Sequence, residues 1–369
     1  MYNVMPTKLG DRNYWENFTK KTGNIARTLN NRLKIIFDKN PEFFHDFLDS
    51  LRGNIHQNIK EDEALDMITS HIITKPIFDA LFGDNIQNPI AKALDKMVQK
   101  LATLGLEGET KDLKNLYESV KTEAMHAKSP KSQQELIKNL YSTFFKEAFK
   151  KQSEKLGIVY TPIEVVDFIL RATNGILKKH FNTDFNDENI TIFDPFTGTG
   201  SFIARLLSKE NNLISDEALK KKFDKNLFAF DIVLLSYYIA LINITQAAQN
   251  RDGSLKNFKN IALTDSLDFY EKKNDKRGVF DLFEDLEENK DIKDTIKKQN
   301  IRVIIGNPPY SAGAKSENDN NQNLKHHELE KRVSEKYGKN SSSKAAGKTT
   351  RDMLIQSIYL ASELLKDRG

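Results

Sequence analysis

Ile301-Arg302-Val303-Ile304-Ile305-Gly306-Asn307-Pro308-Pro309-Tyr310 carries more information about the fold than any other stretch of this 369-residue chain. Its first half is a short apolar run rich in β-branched residues, the composition of a buried strand. Its second half is a rigid turn. Two prolines fix φ and remove two backbone donors, while their carbonyls stay able to accept hydrogen bonds. Asn307 adds a neutral side chain that both accepts and donates, and Tyr310 adds a flat ring. Such a cluster suits a planar substrate carrying an amino or amide nitrogen. Taken alone, the same four residues are equally a proline bend after a strand, because short motifs match by chance.

Upstream, from about residue 157, strands and helices alternate. Pro162 stands at the start of an amphipathic run, Val165 to Leu177. Ile190 to Phe193 is a short strand, followed by a helix over Phe202 to Leu207. Leu227 to Phe230 is a second strand and Leu234 to Ala248 a second helix. Asn260 to Leu263 is a third strand, and Ile301 to Ile305 the fourth. This alternation predicts an α/β domain with a mostly parallel sheet covered on both faces. Residues 271 to 300 are charge-rich and read as a surface excursion plus a helix.

Each strand ends on residues that carry chemistry. Asp194-Pro195-Phe196-Thr197-Gly198-Thr199-Gly200-Ser201-Phe202 follows the first strand and opens a helix. Glycines there let the backbone approach a ligand closely. No Gly-Lys-Ser/Thr follows, so this is not a phosphate loop. After Gly198 and Gly200 the third site of a dinucleotide fingerprint is Ile203. A Gly-x-Gly turn preceded by Asp194 instead suits a ligand with a cationic ammonium group. Asp231 ends the second strand, either as an acceptor for two ribose hydroxyls or as a helix N-cap. Asp265-Ser266 follows the third and offers an acceptor for an adenine amino group. Ligands of open α/β sheets bind outside the carboxyl ends of the strands, which places all four ends in one crevice. An amino-acid head, a ribose and an adenine together describe S-adenosylmethionine.

Composition narrows the chemistry. With 56 basic and 52 acidic residues the net charge is +4, which permits nucleic-acid binding without demanding it. The chain has no cysteine, which excludes disulfides, thiolate zinc sites and a cysteine nucleophile. Methylation at a pyrimidine ring carbon, which generally needs a covalent thiolate, is thereby closed. The seven histidines show no metal-site spacing, and His326-His327 reads as a solvated pair. No metal is expected. No apolar run approaches the length of a membrane span, and no signal-like segment opens the chain. A soluble, cytoplasmic protein is expected, with no membrane partner.

Residues 1–150 read as a separate all-helical domain and 151–369 as the α/β domain. Leu29, Leu33, Ile36 and Phe37 share one helical face. Leu65, Ile68, Ile72 and Ile73 share another, followed by Ile77, Leu81 and Phe82 beyond Pro76. Leu136, Leu140, Phe144, Phe145 and Phe149 form a third. Residues 311–350 are polar, with Asp319-Asn320-Asn321-Gln322-Asn323 and Ser341-Ser342-Ser343, and read as a solvated loop. Its excess of basic residues could contact phosphates. The chain resumes as a helix, Met353 to Leu365.

These motifs, in this order, resemble the gamma class of amino-methyltransferases that modify adenine in DNA. Gly157 to Pro162 resembles their first motif, Asp194 to Phe202 their cofactor loop, and Asn307 to Tyr310 their catalytic turn. Closer still, Gly157 to Ile169, Asn318 to Asn323 and Arg351 to Ser362 resemble single-polypeptide type I restriction–modification enzymes, in which a helical coupler domain precedes the methyltransferase. The resemblance implies a Rossmann-like S-adenosylmethionine-dependent fold behind an all-helical domain. It implies that Tyr160, Thr161 and Pro162 lie at the methionine end of the cofactor. Phe196, Gly198 and Gly200 line its loop, and Asp231, Asp265 and Ser266 meet its ribose and adenine. It implies that Asn307 and the Pro308 carbonyl accept the hydrogens of the adenine amino group, with Pro309 stiffening the turn and Tyr310 stacking on a base flipped from double-stranded DNA.

In that family the sheet continues with further strands after residues 353–365, and a target-recognition domain follows. Their absence predicts a truncated product, a split gene or a fragment, with a C-terminal polypeptide as partner. No nuclease cluster or helicase motif is present in the sequence. Two rivals stay open. One is a methyltransferase of protein glutamine amides, which uses a similar turn. The other is a non-catalytic coupling module.

Overall fold

The computed structural model describes residues 12–82, 88–106, 161–270, 284–309, 326–338 and 352–366, with a few isolated helical residues between 114 and 122; the side chains of 12–21 and 80–82 are excepted. The chain divides into two compact units. One comprises Met1–Asp49, Ile59–Glu154 and Gly278–Asp285, the other Ser50–Asn58, Lys155–Arg277 and Leu286–Gly369.

The first unit is helical. Apolar residues at i, i+4, i+7 and i+8 put Leu29, Leu33, Ile36 and Phe37 on the buried face of α1 (Arg12–Lys39). Fully burying a leucine such as Leu33 contributes roughly 1.5–3 kcal/mol. After α2 (Pro41–Asn54), α3 (Glu61–Phe82) buries Leu65, Ile68, Ile73 and Ile77 and carries Pro76 in its interior without ending there. The helix thus gives up one backbone donor, and its apolar stripe continues across the proline. α4 (Pro89–Thr103) begins where sequence predicts a start. The Asn88 side chain accepts from Ala91 N at 2.9 Å and Pro89 occupies the first turn. Its Ile90, Leu94, Met97 and Leu101 are buried at heptad spacing. The stripe from Leu136 to Phe149 lies outside the described residues.

The second unit is built on a parallel sheet of β1 (Thr191–Asp194), β2 (Leu227–Asp231), β3 (Ile261–Leu263) and β4 (Ile301–Ile304), in the order β3-β2-β1-β4. Every residue of β1, β2 and β3 is buried, so these strands read as continuous apolar runs rather than alternating ones. Phe193 and Phe230 meet edge-on at 4.8 Å inside a cluster with Phe228, Ala262, Ile296 and Ile301. β4 pairs with β1 alone among the described strands, and its burial alternates.

Helices precede and connect the strands. They are α5 (Ile163–Phe181), α6 (Ser201–Leu207), α7 (Asp216–Lys221, continued by a π turn to Asn226) and α8 (Leu234–Gln249). α9 (Asp285–Lys298), α10 (His327–Lys336) and α11 (Met353–Leu365) follow. α5 extends past both expected ends. It stops at Asn182, whose left-handed backbone (φ 50°) turns the chain so that Thr183 N donates back to Leu177 O at 3.3 Å. α8 is apolar on nearly every face and is correspondingly buried. No helix among the described residues is long and apolar enough to cross a membrane.

One topological feature places the site. From β1 the chain steps to β2 and then β3 on one side, and returns with β4 on the other side of β1. The strand order thus reverses at β1, with β2 and β4 on its two sides, and a crevice opens at the carboxyl ends of β1 and β4.

Candidate active site

The four strand ends are locked side by side by backbone hydrogen bonds. Ile305 N donates to Phe193 O at 3.0 Å, Thr197 N to Phe230 O at 2.9 Å, and Thr264 N to Asp231 O at 2.7 Å. Asp194, Asp231, Asp265 and Asn307 are therefore brought to one end of the sheet.

Asp194 is fully buried. Its Oδ1 accepts from Phe196 N at 3.1 Å, and its Oδ2 has no hydrogen-bond partner among the described residues. Burial pushes its carboxyl up to about 8. Gly306, across the crevice, is pressed against it. A Cβ on Gly306 would lie 2.5 Å from Asp194 Oδ1, so the end of β4 reaches this position only as glycine.

The turn after β1 contains two left-handed glycines, Gly198 (φ 54°) and Gly200 (φ 77°). Gly200 also allows close packing, since a Cβ there would meet Ala240 Cα at 2.9 Å. Gly198 N donates to Asp231 Oδ2 at 2.8 Å, while Val233 N donates to Asp231 Oδ1 at 2.7 Å. The N-cap position of α8 is Val233, so Asp231 is a turn acceptor tied to the glycine loop rather than the cap itself. Burial raises its carboxyl to about 7.

Asp265 behaves oppositely. Burial alone would raise its carboxyl, but the charge and hydrogen bond of His326, with His56 nearby, hold it below the usual carboxylate range. Its Oδ1 accepts from Leu267 N at 2.9 Å, and its Oδ2 lies 2.8 Å from His326 Nε2. The Ser266 hydroxyl donates to Pro195 O, joining the turns after β3 and β1. Phe196 packs against the apolar cluster of Leu267, Leu329, Val333, Tyr359 and Leu360.

Asn307, half-buried, directs its amide Nδ2 to the Thr161 hydroxyl at 3.1 Å, just before Pro162 opens α5. Pro308 and Pro309 follow β4 outside regular secondary structure and are half-buried. Tyr160 and Tyr310 lie outside the described residues.

Residues 132–342 match the N-6 DNA methylase family model. The chain belongs to the N-6 DNA methylase family. Ahead of that match, residues 14–132 fit the coupler domain of Type ISP restriction-modification enzymes. No curated protein matches this methylase chain. Among solved structures it resembles a nuclease-deletion mutant of the Type ISP restriction-modification enzyme LlaGI in complex with a DNA substrate mimic. The identity is 38%, the TM-score 0.85, and the match covers 98% of this chain and 30% of that one. It also resembles the ATP-dependent Type ISP enzyme LlaBIII bound to DNA, at 36% identity and TM-score 0.87, covering 97% and 24% of the two chains. A DrdV–DNA complex matches at 27% and 0.82, covering 99% and 35%. The methylase chain thus spans a quarter to about a third of the length of these enzymes.

Three features of the methylase site escape a reading of its sequence. His326 is 1% exposed, which corrects the expected solvated pair. His326 precedes α10 and His327 opens it. Adjacent residues at a helix start point in different directions, so His326 turns inward to Asp265 while His327 faces solvent. Asp265, Asp268 and His326 form a group whose ligand atoms lie within 4.8 Å of one another, held by the His326–Asp265 hydrogen bond. Asn289, fully buried in the charge-rich helix α9, accepts from Leu263 N at 2.7 Å and donates to Leu263 O at 2.8 Å. It extends the ladder at the edge of β3, and nothing in its local sequence marks it. Gly306 is the third feature; its pattern shows a strand end but not the carboxylate beside it.

Proposed function

We propose that residues 151–369 form a methyltransferase domain acting on the exocyclic amino group of an adenine in double-stranded DNA, with S-adenosylmethionine as donor, and that residues 1–150 form its coupler domain. The observation that carries this reading is the placement of Asn307 directly after Gly306, against Asp194 at the switch point of the sheet, with its amide anchored on Thr161. When bound, the cofactor supplies an activated methyl group on a sulfonium.

The residues at the strand ends fit such a ligand. Asp194 presents a buried carboxylate with a free acceptor oxygen, which suits an ammonium group. Asp231, bridging the glycine loop, accepts ribose hydroxyls. Asp265, held ionised, accepts from the adenine amino group, with Ser266 and Phe196 shaping the turns around it. Gly198 and Gly200 give the backbone its close approach, and Tyr160, Thr161 and Pro162 close the methionine end.

The nitrogen of an adenine amino group is a poor nucleophile because its lone pair is delocalised into the ring. Asn307 Oδ1 and the Pro308 carbonyl accept its two hydrogens, draw it toward tetrahedral geometry and free the lone pair. Pro309 keeps the turn rigid, and Tyr310 stacks on the extruded base. Alignment with the methyl group supplies much of the remaining acceleration. Selection of a target sequence falls to a further polypeptide segment, C-terminal in the enzyme.

Tritiated methyl transfer from S-adenosylmethionine tests the proposal, offering duplex DNA and protein as acceptors. Label is expected in DNA as N6-methyladenine, and Asn307→Ala is expected to abolish it while cofactor binding persists. Label in protein glutamine instead would establish the amide-methylating rival, and loss of cofactor binding in Asn307→Ala would remove the assigned role.

A further inference from the structure

We propose that His326 is a positioning residue of the cofactor site, fixing the Asp265 carboxylate in the orientation that reads the adenine amino group. The proposal rests on the reading of Asp265 as the adenine acceptor.

Asp265 is buried and ionised, so its oxygens can only accept. His326 Nε2, 2.8 Å from Oδ2, therefore carries the hydrogen of that contact. On the other side Leu267 N donates to Oδ1 at 2.9 Å. Two donors from two directions define the plane of the carboxylate. Each oxygen has a second lone pair, so one acceptor site remains on each. Without His326 only the Leu267 contact would hold the group, and rotation about χ2, which is broad for aspartate, would be open.

The backbone that carries the imidazole is itself fixed. The His326 carbonyl accepts from Glu330 N at 2.8 Å, in the first turn of α10. That helix buries Leu329 and Val333 against Leu267, Tyr359 and Leu360. The histidine and the turn that follows Asp265 are thus packed into one apolar cluster. Other titratable groups facing the pair are Asp268, whose Oδ1 is 3.9 Å from Nε2, and His56. Both carboxylates favour the donor form of Nε2.

A donor-orienting role differs from a structural one in what it does to ligand discrimination. The probes are S-adenosylhomocysteine and S-inosylhomocysteine, which differ by an amino against an oxo group at the position Asp265 would read. Their dissociation constants are measured by calorimetry on the full 369-residue chain. The wild-type chain is expected to prefer the adenosine compound by roughly tenfold or more, the worth of one hydrogen bond to a charged acceptor.

His326→Asn withdraws the donor from the Nε2 position and is expected to lose most of this preference. His326→Gln restores a donor there and is expected to recover it. Absence of a preference in the wild-type chain would remove the reading of Asp265 itself. A preference kept in His326→Asn but lost in Asp265→Asn would overturn the role of His326 and leave that of Asp265 standing. Should His326→Asn fail to fold, the His326 ring N–H resonance of the wild-type chain decides. A shift on binding the adenosine compound, absent with the inosine compound, upholds the role, and identical responses refute it.

Discussion

Asn307 and Thr161, 146 positions apart in sequence, are joined by a hydrogen bond of 3.1 Å from the amide Nδ2 to the hydroxyl. The contact has a directional consequence. With Nδ2 donating to the Thr161 hydroxyl, Oδ1 is the end of the amide left available to a substrate hydrogen. A residue of the first motif thereby sets the rotamer of the proposed catalytic residue.

Thr161→Val keeps the shape and removes the acceptor. Methyl transfer in single turnover is expected to fall roughly fivefold, consistent with about 1 kcal/mol of lost orientation. The KM for DNA should change little, because the contact acts on a residue that grips the amino group only as it reacts. Thr161→Ser should recover most of the rate. An unchanged rate in Thr161→Val would show that the amide is held by other means.

Gly306→Ala tests the closeness of β1 and β4. The added methyl would fall 2.5 Å from Asp194 Oδ1, inside contact distance, while Asp194 is buried and cannot swing into solvent. The strand end must shift, at about 1–3 kcal/mol. A Tm lower by several degrees is expected, together with loss of methyl transfer, because Asn307 moves with it. Gly198→Ala is the control. Its Cβ would meet nothing within 4 Å, so that substitution carries the strain of φ 54° without a collision. Its expected cost is about 1–2 kcal/mol, and it should leave Asn307 in place.

The contrast between these two glycines marks the boundary of what the sequence discloses. Strands and their order along the chain are local properties. Runs such as Leu227 to Phe230 and Ile301 to Ile305 announce themselves by composition, and the aspartates that end β1 and β2 stand out as the first charges after apolar stretches. The left-handed glycines after β1 are legible for the same reason. Contacts across the sheet are not local. The approach of Gly306 to Asp194, the bond from Thr161 to Asn307, and the turn of His326 toward Asp265 depend on strand order and on where a helix begins. A histidine pair in a polar stretch carries no signal of burial. The apolar cluster that pulls in α10 is formed by residues near 267 and 360, which sequence proximity does not connect.

Asn289 offers a purely structural test of the same principle. Its side chain serves the N–H and carbonyl of Leu263, two positions before Asp265. Asn289→Ala strands both groups in the interior, at about 1–3 kcal/mol for each unsatisfied group before relaxation or water entry. A clear drop in the denaturant midpoint at unchanged m is expected, with weaker cofactor binding because the Asp265 turn loses its anchor. Stability within a few tenths of a kcal/mol of wild type would mean that water satisfies the edge of β3 equally well.

The two raised carboxyls predict proton-linked binding. Asp194 at about 8 and Asp231 at about 7 are both lifted by burial, so at pH 7 Asp194 is mostly protonated in the free protein. Their unfolded values are near 3.9. Between about pH 4 and 8 the folded chain therefore binds more protons than the unfolded one. This contribution to stability is present below about pH 4 and is lost as the pH rises through 7 to 8. An ammonium group beside Asp194 reverses the preference, because it favours the charged carboxylate. Binding of S-adenosylmethionine at pH 7 is thus expected to release on the order of one proton. The release should fade above pH 9, where Asp194 is already ionised. Calorimetric titration in two buffers of different ionisation enthalpy measures it directly. Asp194→Asn should abolish the release and weaken binding, whereas Asp231→Asn should weaken binding and leave most of the release intact. A binding enthalpy that does not depend on the buffer would refute the pairing of Asp194 with the ammonium group.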